Sequence, residues 1–481
     1  MTQIKHGLDA DKRQHVPAGY LDDRGFGNNG HGSSSSGGGN NSHGAGGRAA
    51  QTPTTMPSVP TTEREAIPGD LPPAYSFSDP NMHSVMPPQF TASLTNSSLD
   101  TYRDLKLDQK RASELVATKA FAFDRPVFIH TSNISSSTLV IEPDTNLDNK
   151  DAIVIVAEVT SQISGLDNKC SVTATVNELN EYDFFVCSTA SMWSLKTICC
   201  RFLVRVPSTY TGSHPGLRVA LTNGRADMSY INNINFSFID LKTTCGDVSL
   251  INVFGGNIRI STTRGVLKAN NVVAAEMFEA LTTNSRISLV DIRAQRVNTA
   301  TSNSTITLTT VAGEAVHAET TNSKIDCTNV SAVNLKLTTT NSSIETNHVE
   351  ASNLYLNTRN AKVEGTWRIK NLLDVVTTNS KIISTILLQE PTAPVSIRLS
   401  TTNSKIQAYL PAESFRGVFD VKTSNSKATV QSQRVNNVGS PPIQFIINDR
   451  SYKRGTIGPT DSVRHQFSAS TTNSGIEVRL V

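Results

Sequence analysis

Three acidic residues occupy the same position of a repeated segment, and a stack of acids is the chemistry that this sequence most openly offers. Asp326, Glu345 and Glu364 follow one another at intervals of 19 residues. On neighbouring paired strands they would lie about 5 Å apart. Clustered carboxylates cleave glycosidic bonds or bind calcium. A glycan-active or calcium-binding face is therefore one hypothesis for this column.

A column of basic residues stands two positions before the acids, and it weakens that hypothesis. Because residues two apart on a strand share a face, Lys324 is expected beside Asp326 and Lys362 beside Glu364. Exposed pairs of this kind are common and contribute little. The pattern favours a solvated, ion-paired face, and we predict no catalytic, cofactor-binding or metal-binding residue. The basic column comprises Arg286, Lys324, Lys362, Lys381, Lys405 and Lys427.

The same basic column is a candidate strip for an acidic glycan, an anionic lipid surface or a nucleic acid. Interleaved acids and a formal net charge of only +3 over 481 residues argue against this use. No aromatic residues are interspersed for stacking on bases. A peripheral polyanion or membrane-surface role stays an alternative, and a nucleic-acid partner is not predicted.

The histidines and cysteines show no metal-ligand spacing. There is no Cys-x-x-Cys pair and no His-Glu-x-x-His segment for zinc. Six cysteines in so long a chain form no disulfide framework, and Cys245 and Cys327 fall in repeat positions that suit small core residues. We therefore predict unpaired thiols.

The elements that position these side chains are set by a strict repeat. The tetrapeptide Thr-Thr-Asn-Ser, or a close variant, recurs every 19 residues. A fixed period near 20 residues indicates a solenoid, in which each unit buries its apolar side against its neighbours. The repeat asparagines are Asn284, Asn303, Asn322, Asn341, Asn360 and Asn379.

Apolar and polar residues alternate on both sides of the asparagine, which indicates strands. Isoleucine or valine stands three residues after it, as at Ile306 and Val363, and a large apolar residue stands six residues before it, as at Val297 and Leu354. Each unit is therefore predicted to be a strand, an asparagine corner and a second strand. Asparagine suits a corner because it tolerates the left-handed backbone region, and stacked amides would form a ladder.

We predict an all-β fold, a parallel β-helix of about twelve coils of about 19 residues each. At the rise of paired strands it would form a rod roughly 55 Å long. The repeat domain spans 221–481, residues 121–220 form a β-rich cap or irregular first coils, and 434–466 covers the far end. Residues 1–120, rich in glycine, serine and proline, form a disordered arm with a short helix around Asp108 to Lys119.

The Thr-Thr-Asn-Ser-x-Ile units resemble the uncharacterised adhesin-like β-solenoid domains of bacteria and fungi. The likeness covers about residues 120 to 481 and includes Val-Arg-Val-Pro at Val204 to Pro207, the segment Leu410 to Gly417 and the segment Thr471 to Val478. The fungal forms often carry a disordered, proline-rich arm. The resemblance implies a β-solenoid without established catalytic residues, and hence a non-enzymatic role.

One linear motif stands in the arm. Pro72, Pro73 and Tyr75 form a Pro-Pro-x-Tyr sequence, which WW domains bind by gripping a polyproline-II segment between aromatic rings. Such motifs recruit HECT-type ubiquitin ligases in fungal cells. A WW-domain ubiquitin ligase is therefore the predicted partner, against the alternative that a proline-rich linker matches by accident.

The location follows from what the sequence lacks. The chain shows no signal peptide at its start and no apolar run long enough to cross a bilayer, so a cytoplasmic protein is expected, with unconventional export to the cell surface as the alternative. Three functions stay open: a non-enzymatic, adhesin-like scaffold with a WW-binding arm, a glycan-binding or glycan-active β-helix at the cell surface, and a peripheral polyanion binder.

Overall fold

A computed structural model gives the fold of this chain within residues 105–481. The stretches left out of the description are 112, 123, 145–151, 163–165, 190–197, 208–213, 230–233, 433–440 and 460–463. The predicted arm as far as residue 104, with Pro72, Pro73 and Tyr75, also lies outside the described residues.

The described residues are almost entirely β-strand. They contain one short 3-10 helix, Leu166–Asn168, and no α-helix. The 27 strands belong to one sheet in which most neighbours are parallel. No helix in this part of the chain is long and apolar enough to cross a membrane.

Ten strands precede the long repeat strands. They are β1 (Lys106–Arg111), β2 (Glu114–Ala122), β3 (Val127–Ser132), β4 (Ser136–Asp144), β5 (Ala152–Ser161), β6 (Cys170–Val176), β7 (Tyr182–Ser188), β8 (Ile198–Pro207), β9 (His214–Leu221) and β10 (Gly224–Met228).

The repeat follows in eight strands, most of them long. They are β11 (Asn235–Thr243), β12 (Val248–Thr262), β13 (Leu267–Thr282), β14 (Ile287–Thr301), β15 (Ile306–Thr320), β16 (Ile325–Thr339), β17 (Ile344–Asn357) and β18 (Val363–Val376).

Shorter strands complete the sheet. They are β19 (Ile382–Leu388), β20 (Ser396–Ser400), β21 (Ile406–Leu410), β22 (Gly417–Thr423), β23 (Ala428–Ser432), β24 (Ile443–Asn448), β25 (Tyr452–Ile457), β26 (His465–Thr471) and β27 (Ile476–Leu480).

Alternation of apolar and polar residues makes these strands and sets their inner faces. In β14, Ile287, Leu289 and Ile292 are fully buried, and the residues between them are partly or fully exposed. Burying one such side chain contributes about 1.5–3 kcal/mol. The predicted core column is buried along its whole length: Ile287, Ile306, Ile325, Ile344, Val363, Ile382, Ile406 and Ile476.

Successive units pair in parallel, and most residues pair with the residue 19 positions on. Ile287 pairs with Ile306, Ile306 with Ile325 and Ile325 with Ile344. This offset places the members of one repeat column on neighbouring strands. The columns of the sequence are therefore continuous rows on the protein.

A second corner, which the sequence interpretation missed, bends the six long strands β12 to β17. The corner residue is Cys245 or Arg264 in the first two of these repeats and the repeat asparagine in the others. The residue seven positions after it has a φ between 50° and 56°. The corner asparagines themselves, such as Asn303, are not among the residues with positive φ. The left-handed backbone expected of asparagine therefore occurs in a different column, which comprises Asn252, Asn271, Asp291, Thr310, Asn329 and His348.

The first described residues differ from the sequence prediction. β1 and β2 form an antiparallel hairpin, and β2 pairs antiparallel with β5, where the sequence predicts the end of the arm and a short helix from Asp108 to Lys119. Leu115, Ala117 and Phe121 are buried. Their period-two spacing outweighs the helix propensity of the intervening residues. Within the described part of the chain, the first strand therefore begins at Lys106, ahead of the predicted boundary near residue 120.

The region predicted as a cap contains both kinds of pairing. β4 pairs in parallel with β10, and β3 and β9 continue the parallel pairing toward β11. β5 pairs antiparallel with both β2 and β8, and β6 pairs antiparallel with β7. Parallel stacking thus extends into this region, and antiparallel strands flank it.

The last units are stacked out of chain order. β20 and β21 pair with β26 and β27, which pair in turn with β22 and β23. A hairpin of β24 and β25 pairs antiparallel with β22. The repeat asparagines of these units are Asn403, Asn425 and Asn473, and the hairpin of β24 and β25 lies within the long interval from Asn425 to Asn473.

Candidate functional site

The corner asparagines form a continuous row of side-chain hydrogen bonds. The Nδ2 of Asn303 donates to Oδ1 of Asn284 at 2.8 Å, and that of Asn322 donates to Asn303 at 2.8 Å. Every later amide in the row repeats this contact at 2.7 or 2.8 Å. The asparagine row runs through Asn284, Asn303, Asn322, Asn341, Asn360, Asn379, Asn403, Asn473 and Asn425.

Buried threonines hold the inner side of the same corners. The hydroxyl of Thr320 donates to the carbonyl of Ser304 at 3.3 Å, and that of Thr339 donates to the carbonyl of Ser323 at 3.1 Å. A buried hydroxyl needs such a partner. The sequence interpretation gave this threonine no role, although its recurrence two residues before the asparagine is the signal that would have revealed it.

The predicted acids and lysines alternate along one exposed face. The Nζ of Lys324 lies 3.1 Å from Asp326 Oδ2 and 2.7 Å from Glu345 Oε2. The Nζ of Lys362 lies 3.2 Å from Glu345 Oε1 and 2.9 Å from Glu364 Oε2. These five residues, here called the charged zigzag, join the acidic column to part of the basic column in one chain of ion pairs.

The charges of the zigzag reinforce one another. The hydrogen bond from Lys324 lowers the pKa of the Glu345 carboxyl below its ordinary value, and the bond from Lys362 adds to this effect. Glu345 raises the pKa of Lys324, and Glu364 together with Glu345 raises that of Lys362. A catalytic general acid needs a raised carboxyl pKa. The shift at Glu345 has the opposite sign, so this carboxylate stays charged.

The rest of the basic column is unevenly paired. The Nζ of Lys405 lies 2.8 Å from Glu477 Oε2. Arg286, Lys381 and Lys427 are exposed, and none of them forms an ion pair with another residue that the structure describes. Half of the predicted polyanion strip is therefore already engaged within the protein, and half faces solvent.

A second charged column, on the strand that leads into each asparagine corner, escaped the sequence interpretation. Five positions before the corner, Arg259 pairs with Glu279 at 2.5 Å, and Arg398 lies 3.9 Å from Asp374. Opposite charges facing each other on neighbouring strands contribute about 0.2–1 kcal/mol. The signal in the sequence is the change of sign from Arg259 to Glu279, and again from Asp374 to Arg398.

The remaining candidate groups are the metal-ligating side chains and the cysteine thiols. Among the described residues, no three side chains of histidine, cysteine, aspartate or glutamate form a group that could hold a metal ion. All six cysteines are free thiols. Cys327 is buried, and burial raises the pKa of its thiol. Cys245 is exposed, contrary to prediction, because it occupies the corner position that asparagine takes in later repeats.

No family model and no curated protein matches this chain. One similar solved structure is a candidate cell adhesion protein from Clostridium sporogenes, at 8% identity over 76% of this chain and 99% of that one, with a TM-score of 0.15. Another is a candidate adhesin from Bacteroides fragilis, at 11% identity over 76% and 96%, with a TM-score of 0.16. Similarity at these TM-scores carries no argument about fold or function.

Proposed function

We propose that this protein is a non-enzymatic, adhesin-like interaction protein, and that its sheet is wound as a parallel β-solenoid of about twelve coils. Parallel pairing at an offset of 19 residues supports the solenoid. Such a stack presents one surface pattern many times at a spacing of about 4.8 Å. Weak contacts repeated along it would add up through multivalency.

The charged zigzag is the observation that supports a non-enzymatic role. Its three acids are the best catalytic candidates of the sequence, and each lies within 3.2 Å of a lysine. Glu345 contacts two lysines, so its charge is matched within the protein. A hydrolase that uses paired carboxylates needs one of them protonated, and the lowered pKa of Glu345 disfavours that state.

Binding and hydrolysis can be separated in one assay. Beads that carry the full-length protein are incubated with a panel of immobilised polysaccharides and cell-surface proteins, and both retention and release of reducing sugar are measured. We expect retention without release, and Glu345→Gln should leave the release at background. Release that Glu345→Gln or Glu364→Gln abolishes, but that the control Glu279→Gln leaves intact, would establish a glycan-active site instead.

Polyanion binding is a second candidate, and the unpaired cations Arg286, Lys381 and Lys427 are the observation that favours it. If they bind an acidic polymer, Lys381→Gln with Lys427→Gln should lower retention on heparin or on anionic vesicles, and salt should release the wild-type protein. The matched control is Lys362→Gln with Lys405→Gln, which removes two cations that are already paired. Equal retention of both variants would contradict the strip.

The arm proposal rests on the sequence alone. Pro72, Pro73 and Tyr75 would engage a WW-domain ubiquitin ligase, which requires that the protein reach the cytoplasm. Pro72→Ala with Tyr75→Ala should abolish capture of the full-length protein by immobilised WW domains. Unchanged capture would remove this motif from the proposed function, and recovery of the protein only from the cell surface would favour the glycan alternative.

A further inference from the structure

One coil of this protein is inserted between two coils that precede it in the chain. The inserted coil consists of β26 and β27, His465–Thr471 and Ile476–Leu480. On one side it pairs with β20 and β21, and on the other with β22 and β23. Without it, these flanking coils would expose two facing sets of strand edges, here called the slot.

The contacts that fill the slot are those of every other repeat. Asn473 donates to Asn403 at 2.7 Å and accepts a hydrogen bond from Asn425 at 2.7 Å. Phe467 and Ile476 are 1% exposed and occupy the predicted core columns. The slot therefore recognises a repeat pattern, and nothing in these contacts depends on the segment belonging to the same molecule.

The order of the chain leaves the slot open for a time during folding. The bond from Asn473 to Asn403 joins residues 70 positions apart, whereas the asparagine bonds of the earlier repeats join residues 19 apart. Local contacts form before distant ones because a longer loop must be closed first. Before the inserted coil arrives, β20 and β21 can thus stack on β18 and β19, and β22 can pair with β25 of the hairpin.

We propose that the slot also accepts the inserted coil of a second copy of this protein, so that two molecules exchange this coil. The exchanged coil makes the same backbone pairs, asparagine bonds and core contacts as its own counterpart, and the salt bridge from Lys405 to Glu477 is kept as well. An exchange of identical elements costs little contact energy and depends on protein concentration. The class of partner is therefore a second copy, held by strand pairing.

The exchange is tested by co-expressing two full-length copies that carry different tags and by measuring the disulfide that joins them. One copy carries Arg398→Cys and the other Ser468→Cys, at positions that pair across β20 and β26 and are both exposed. All copies also carry Cys199→Ser and Cys245→Ser, because these two native thiols are exposed. A disulfide that joins the two tagged copies requires that the inserted coil of one copy, with Cys at position 468, lie beside β20 of the other, with Cys at position 398.

The controls distinguish exchange from chance contact. Lys336→Cys and Tyr355→Cys, placed on separate copies, pair across β16 and β17 in the interior of the stack. A single chain with both Arg398→Cys and Ser468→Cys should close an intramolecular disulfide, since paired strands lie about 5 Å apart.

We expect the mixed disulfide at positions 398 and 468 to exceed the Lys336 and Tyr355 control about tenfold and to increase with expression level, as mass action requires. A mixed disulfide no more abundant than the control, with the intramolecular bond formed normally, would overturn the exchange. Failure of the intramolecular bond would overturn the stacking order on which the proposal depends.

Discussion

At the scale of single residues, backbone strain in the repeat is concentrated at Thr310. Its φ of 54° lies in the left-handed region. Asn271 and Asn329, which occupy the same column in other repeats, have similar φ values but are asparagines. A β-branched residue is strained there because its side chain crowds the backbone, at a cost of about 1–3 kcal/mol. One residue of this column is therefore poorly matched to its conformation.

Replacement of this residue should stabilise the fold. We expect Thr310→Asn to raise the free energy of unfolding by about 1 kcal/mol, because asparagine tolerates the same φ. The measurement is the midpoint of urea unfolding. Thr309→Asn, next to it at an ordinary φ, should not raise the midpoint, and equal gains from both variants would show that strain at position 310 is not the cause.

The charged zigzag should stabilise the protein only between the pKa values of its members. The carboxyl pKa of Glu345 is lowered from an ordinary value of 4.5, so its contribution is full above that pH and is lost as the pH falls through the folded pKa. The ammonium pKa of Lys324 is raised from 10.5, so its contribution is full below 10.5 and is lost at higher pH.

Neutralising the central acid should have a small effect that depends on salt. Glu345→Gln is expected to lower stability at pH 7 by less than about 1 kcal/mol, because the pairs are partly exposed. The loss should vanish in high salt and at acid pH, both of which thermal unfolding can follow. A loss that persists in 1 M salt would mean that packing, not charge, explains the contribution of Glu345.

At the scale of elements, the asparagine row joins each corner to the next. An inner residue such as Asn341 donates to Asn322 and accepts from Asn360, whereas Asn284 accepts from Asn303 at the end of the row. Each hydrogen bond of this kind contributes about 0.5–1.5 kcal/mol net. The side-chain row thus adds to the backbone bonds between corners, such as that from the N–H of Asn303 to the carbonyl of Thr283.

The position of an asparagine in the row should decide what its loss costs. Asn341→Ala removes two bonds and is expected to destabilise the protein by about 1–2 kcal/mol, roughly twice the cost of Asn284→Ala. The comparison uses the urea midpoints of both variants. Equal losses would show that the cost does not depend on the number of side-chain bonds removed, and would contradict this account of the row.

The inserted coil carries a buried histidine that should make it sensitive to acid. His465 is 0% exposed, and burial lowers its pKa, with Arg464 and Arg416 acting in the same direction against hydrogen bonds to the main chain. Its neutral form stabilises the coil above the ordinary value of 6.5, and this contribution is lost as the pH falls below that value. The protection of β26 amides against hydrogen exchange, corrected for the intrinsic exchange rate at each pH, should therefore fall between pH 7.5 and pH 5 more than that of β13, which contains no histidine.

A histidine variant separates this effect from general acid destabilisation. His465→Gln should remove the difference in protection between β26 and β13, because glutamine does not titrate. If β26 keeps its extra loss of protection at pH 5 in this variant, another group is responsible.

Many of the strands and their buried faces could be predicted from the sequence. The residue types that recur every 19 residues in one column show whether that column is buried or exposed. Ile325 and its counterparts identify the core, and Asp326 with Lys324 identifies an ion-paired face. Thr310 could not be recognised as a left-handed corner, since its column holds four residue types. The sequence assigns residues as far as 120, most of Glu114–Ala122, to the arm, because the partner strand β5 is distant in the chain.

At the scale of the whole molecule, parallel stacking gives continuous surfaces. The order in which the coils stack does not follow from their order in the chain alone. The repeat pattern of Asn403, Asn425 and Asn473 predicts three coils but not the order 403, 473, 425 in which they stack. Repeats that share the same columns can thus pair although they are not consecutive in the chain, as β21 and β27 do.

The most direct test of the stacked architecture is a set of distances between spin labels along one exposed column. With Cys199→Ser and Cys245→Ser in the background, labels replace Arg259 together with Lys336, Asp374 or Arg398, which lie four, six and seven strands away. At about 4.8 Å per strand, we expect distances of about 19, 29 and 34 Å. Distances that do not increase in proportion to the number of strands would contradict the parallel stack.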